Sequence, residues 1–100
     1  MAHFFTTQET TTSTPNITSS AGINTSMAVG DVMSVVIITT AAAGGYSAQL
    51  TIDGAAVTER WNGGSAPSAG GAGGNDFYSY SIIKTGNNQY TVLANVSNFA

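Results

Sequence analysis

The stretch FYSYSIIKTGNNQYTVLANV, residues 77–96, decides the fold. Tyr78, Tyr80 and Ile82 recur at every second position, and Tyr90, Val92, Ala94 and Val96 do the same. A period of two marks a β-strand, whose successive side chains point to opposite faces. Between the two runs, Gly86-Asn87-Asn88 supplies residues that tolerate the tight backbone of a turn. The stretch therefore predicts a β-hairpin with one shared face on each arm.

Outward from this hairpin the β signal continues. SAQLTIDGAAVTERW (47–61) predicts a second hairpin, because Asp53-Gly54 is a favoured two-residue turn. Leu50 and Ile52 alternate with Thr51 on one arm, and Val57 alternates with Thr58 and Glu59 on the other. MSVVIITT (33–40) is the strongest single strand, and its doubly apolar centre predicts burial on both faces. HFFTT (3–7) reads as a first strand, NITSS (16–20) as a short one, and AAAGGY (41–46) as a loop. SSAGINTSMAVGD (19–31) holds either an edge strand or irregular structure. TTTSTP (10–15) is polar and of low complexity, so residues 1–15 read as an extended N-terminal arm. No segment sustains a 3.6-residue apolar period. About six or seven short strands at regular spacing predict an all-β fold, a single-domain antiparallel β-sandwich or jelly-roll-like module over residues 1–100.

Composition narrows the function. One hundred residues make one ordinary domain. Charged residues are only 7% of the chain, against ~25% in an average protein. The polar surface must then come from Thr, Ser, Asn, Gln and backbone, which suits an extracellular or virion part. Arg60 and Lys84 are the only cationic side chains and the net charge is −3, too few positive groups for a phosphate backbone or an anionic membrane surface. No apolar run is long enough to span a bilayer, and MAHFFTTQET lacks the basic and apolar regions of a signal peptide. With no cysteine there is neither a disulfide framework nor a thiolate metal site.

The stretch WNGGSAPSAGGAGGND (61–76) holds six glycines. A phosphate-cradling loop needs a following helix and a GK[ST] signature, whereas a strand pattern follows here. A linker between domains fails because the 24 residues after Asp76 cannot build a core alone. The stretch predicts a long Gly-rich loop, 62–76, joining two strands of one domain. Such a loop either packs closely on another backbone or touches an external ligand.

Catalytic chemistry is sparse. Glu9, Asp31, Asp53, Glu59 and Asp76 are the acids, and Asp53 and Glu59 are placed too far apart along their hairpin for a glycosidase pair. The lone histidine, His3, offers no serine a base. No acidic cluster suits Ca²⁺. No enzyme activity, cofactor or metal is expected. Trp61 reads as a core plug under the loop or as a sugar platform, and Tyr46, Tyr78 and Tyr80 carry the same two readings.

Residues 49–100 resemble the C-terminal β module of tail-fibre-like virion proteins of marine and freshwater bacteriophages. The elements are Ile52-Asp53-Gly54, the Trp61 to Pro67 segment, the small-residue loop, Asp76 to Gly86, and Tyr90 to Ala94 with Phe99. HFFTT and MAVGDVMSVVI (27–37) are similar to the upstream half. The chain departs from that pattern in Glu59-Arg60, where Lys or Pro precedes the Trp, and in beginning almost at Met1 without a stalk. The resemblance implies a virion structural protein of fibre-tip or adhesion type, assembled in the host cytoplasm and then extracellular. A capsid decoration protein is the alternative. It further implies a homo-oligomer, with a trimer favoured, partners among other virion proteins, and a host-surface glycan or protein as receptor. The interface or receptor loop it points to comprises Trp61, Gly63, Gly64, Pro67, Gly70, Gly71, Gly73, Gly74 and Tyr46. The sparse charge and the doubly apolar MSVVIITT strand are consistent with self-association.

Overall fold

The computed structural model describes residues 1–8 and 10–100; Glu9 lies outside the described residues. The hairpin is its backbone. Strands β7 (Asn75–Gly86) and β8 (Gln89–Phe99) pair antiparallel, with Tyr78 opposite Val96, Tyr80 opposite Ala94 and Ile82 opposite Val92. Both apolar sets thus fall on one face. The turn is Asn87-Asn88, and Asn88 takes a φ of 55° that asparagine tolerates better than most residues. Asn24 braces it from outside, accepting the Asn88 N–H at 2.7 Å and donating to the Asn87 side chain at 3.0 Å.

Three further strands complete a five-stranded sheet. β3 (Val32–Thr40) lies antiparallel to β7, β1 (Ala2–Gln8) lies parallel to β3, and β6 (Thr58–Trp61) lies parallel to β8. The order is β1-β3-β7-β8-β6. The class is all-β, as the alternation predicted. The sheet is mixed rather than purely antiparallel, because both edge strands arrive by crossovers and not through tight turns.

A smaller layer covers one face of this sheet. β2 (Asn16–Ile17), β4 (Thr51–Ile52) and β5 (Ala55–Ala56) form a second sheet, beside a one-turn helix α1 (Ile23–Ser26) and the connecting loops. Ile17 and Ile52 from this layer join Val35, Ile37, Tyr78, Tyr80, Ile82 and Val92 in one hydrophobic cluster. The 10–15 segment is tied to it, since the Ser13 N–H donates to the Tyr46 carbonyl at 3.0 Å and the Thr51 N–H to the Pro15 carbonyl at 2.8 Å.

Two expectations need correction. The 47–61 stretch does turn at Asp53-Gly54, with φ of 51° and 82°. Its arms then pair only from Thr51 to Ala56 before β6 leaves for the large sheet. The Glu59 carboxylate accounts for the divergence: it accepts the Leu50 N–H and the Gln49 side-chain N–H, taking the place of a backbone partner. The β3 strand is not buried on both faces. Val35, Ile37 and Thr39 are buried, whereas Val36 and Ile38 lie half-buried on the face that no other described residues of one chain cover.

Candidate functional site

The Gly-rich segment divides into two halves. Asn62–Gly64 makes a tight turn directly after β6, and residues 63–66 are exposed. Trp61 packs half-buried against the core, with its ring edge on Tyr80 at a centroid distance of 6.2 Å. The core-plug reading of Trp61 thus describes its contacts within the chain. Pro67 is half-buried.

The second half is fastened to its own chain. The Gly70 N–H donates to the Ala43 carbonyl at 2.9 Å, and the Ala41 N–H donates to the Gly74 carbonyl at 2.9 Å. These bonds bring the loop beside the 41–46 segment that carries Tyr46, itself half-buried. At the centre sits Asp76, 1% exposed. Its carboxylate accepts the Gly71 N–H at 3.0 and 3.2 Å and the Asn98 side-chain N–H at 3.0 Å. Asn98 also donates to the Gly73 carbonyl at 3.0 Å. A β-carbon at Gly71 would overlap the Asn98 amide. The close packing is therefore against the protein's own sheet end. At Gly73, by contrast, an added β-carbon would meet nothing within 4 Å. Of the sequence candidates, Gly70, Gly71 and Gly74 gather with the Tyr46 loop, while Trp61, Gly63 and Gly64 stand apart at the end of β6.

Two charged groups fasten the small layer, Asp53 from its own β4–β5 turn and Lys84 from the sheet beneath. Asp53 accepts the N–H groups of Ile23 and Asn24 at 2.9 and 3.2 Å and the Thr18 hydroxyl at 3.0 Å. The Ile23 N–H above all holds the Asp53 carboxyl below its ordinary 3.8. Lys84, 7% exposed, donates to the carbonyls of Asn24 and Met27. Sequence reasoning did not single out Asp76 or Lys84 for these places. Their signal was present, since both stand in period-two phase with Tyr78, Tyr80 and Ile82.

Tyr78 and Tyr80 stack with centroids 6.4 Å apart and planes 7° from parallel. The Tyr78 hydroxyl accepts the Ser47 N–H at 3.1 Å. The Tyr80 hydroxyl and Glu59 Oε2 are buried without partners, and burial raises both pKa values. Folding therefore favours protonation of Glu59 relative to the unfolded chain, and its contribution to stability is lost as pH rises from its ordinary 4.5 through the raised value. Glu59→Gln should keep the Leu50 contact and abolish the charge. Its stability relative to wild type, measured by urea unfolding, should improve with rising pH across that window by less than ~1 kcal/mol, since Glu59 is partly solvated. A variant that instead loses ground as pH rises would contradict the assignment.

Among the described residues, no group of three or more His, Asp or Glu side chains is placed to hold a metal ion, and no helix is long and apolar enough to cross a membrane. No protein-family model, curated protein or solved structure matches the chain.

Proposed function

We propose that this chain is a non-enzymatic structural module of a bacteriophage virion, of the tail-fibre or adhesion type, which works by packing against other protein subunits. The observation that carries the reading is the outer face of the five-stranded sheet. It is open among the described residues of the single chain, and the only charged side chain they place on it is Arg60. Broad faces poor in charge are typical of subunit contacts. The resemblance to fibre-type β modules adds support, and its residues form the β4–β5 turn, the Gly-rich loop and the β7–β8 hairpin. In this reading the chain is a symmetric homo-oligomer, a trimer by analogy with fibre proteins, and it contacts other virion proteins. Gly63, Gly64 and Gly73, where an added β-carbon would meet nothing of the chain, are the loop positions offered to a host-surface glycan or protein.

The body measures 39 × 29 × 18 Å, a slab with one open broad face. That shape favours a second reading, a decoration protein laid on the capsid shell. Electron microscopy of intact virions labelled with an antibody to this chain separates the two. Label at the tail or fibre tips supports adhesion, and label over the head supports decoration. Absence of label from particles would remove both.

A further inference from the structure

The large sheet distributes its charges the wrong way round for a free-standing monomer. Asp76 and Lys84 lie on the face covered by the small layer, opposite Asn98 and Tyr90 respectively, and Glu59 lies there opposite Val92. Among the described residues the open face carries only Arg60, on the short edge strand β6. A sheet with one solvated face normally places its charged residues on that face. Here the outer face instead carries an apolar stripe. Phe4 stands opposite Ile38, and Ile38 opposite Phe77. Phe77 meets Phe99 edge-on at 6.1 Å. The stripe crosses β1, β3, β7 and β8, with Phe4 51% and Phe99 61% exposed. Leu93, 47% exposed, lies on the same face nearer the opposite end.

We infer that this outer face seats a second copy of the same chain, sheet against sheet. Three observations select a copy over a foreign partner. The face has no pattern of opposite charges with which to choose a different protein. Packed on itself, it brings no carboxylates of the described residues together. The stripe runs across the strands, so two sheets packed at the usual ~30° lay one stripe over the other. The size is sufficient. At ~3.3 Å per residue and ~4.8 Å between strands, the five strands together present a face of roughly 700 Å². Two such faces clear the ~1,000 Å² expected of a specific interface. The half-buried Val36 and Ile38 would then complete the double-sided burial that the MSVVIITT strand implies. The inference names the contact surface for the self-association in the function proposed above, but it does not depend on the virion assignment, and particle labelling tests that separately.

The test uses the full chain in solution. Light scattering should give the wild type a mass at least twice its 10.1 kDa. Phe77→Asp should bring the mass down to that of one chain while far-ultraviolet circular dichroism stays unchanged. A second variant guards against misfolding. The chain has no cysteine, so Leu93→Cys places a single thiol on the face with little disturbance. It should react with a maleimide at least tenfold more slowly than Ala72→Cys in the exposed loop, and the difference should vanish on dilution to monomers. A monomeric wild type overturns the inference, as does a Leu93→Cys thiol that labels as fast as the loop thiol. Association that survives Phe77→Asp with the fold intact does the same, since it would use another surface.

Discussion

Gly74→Ala should cost the domain roughly 3 kcal/mol, while Gly73→Ala one residue earlier should change stability by less than ~0.5 kcal/mol. Gly74 has a φ of 72°, where an L-residue loses about 1–2 kcal/mol. A β-carbon there would also overlap the Phe99 carbonyl oxygen and lie 2.7 Å from the Ala100 Cα. Both are main-chain atoms, so β8 itself would have to move. The Gly74 carbonyl moreover accepts the Ala41 N–H, so displacement loosens the neighbouring loop as well. A β-carbon at Gly73 would meet nothing within 4 Å, and Gly73 has no positive φ. For a domain of this size the difference amounts to roughly 10–20 °C in Tm, readable by calorimetry. Equal melting of the two variants would mean that the loop does not close onto the end of β8. The pair also sets a rule for any adsorption assay. Loss of host binding in Gly74→Ala reports folding, whereas loss in Gly73→Ala reports the exposed loop surface.

The second large effect is expected at Asp76. Its carboxylate is buried with no cation in contact, and the Gly71 N–H and the Asn98 amide offset the cost of burying it. Asp76→Ala removes the only acceptor that those two groups share. Leaving the Gly71 N–H unsatisfied, together with the cavity, should cost about 2–4 kcal/mol in urea unfolding. Asp76→Asn should recover part of this, because one oxygen still accepts while the new N–H₂ faces a donor. Asn98→Ala should cost less, about 1 kcal/mol, because Asn98 is exposed and water can replace it at the carboxylate. In a double-mutant cycle Asp76 and Asn98 should couple by ~1 kcal/mol. Additive losses would show that the two side chains do not share the hydrogen bond.

The β7–β8 hairpin was legible because period-two alternation and Asn-rich turn chemistry are local. The inward set of Tyr78, Tyr80 and Ile82, and of Tyr90, Val92 and Ala94, follows from that alternation alone. The Asp53-Gly54 turn was legible for the same reason. The same alternation places Asp76 and Lys84 inward. Polarity argues the opposite, and the carbonyls of Asn24 and Met27, the Gly71 N–H and the Asn98 amide make those positions tolerable. The loop glycines look alike in the sequence. Whether each is packed or open depends on where residues 41–46 and 98–100 lie, and both are remote along the chain from some of the glycines they touch.

By itself the sequence determined an all-β chain, the hairpin with its inward face, and a long loop of small residues. Each follows from the geometry of a few consecutive residues. Only the tertiary structure decided that β1 and β6 join the sheet edges in parallel, that Glu59 diverts its strand from the second hairpin, and that the loop fastens through Asp76 to its own sheet. Strand order and loop docking depend on partners tens of residues away. They are set by which distant donors and acceptors must be satisfied once the shared core has formed.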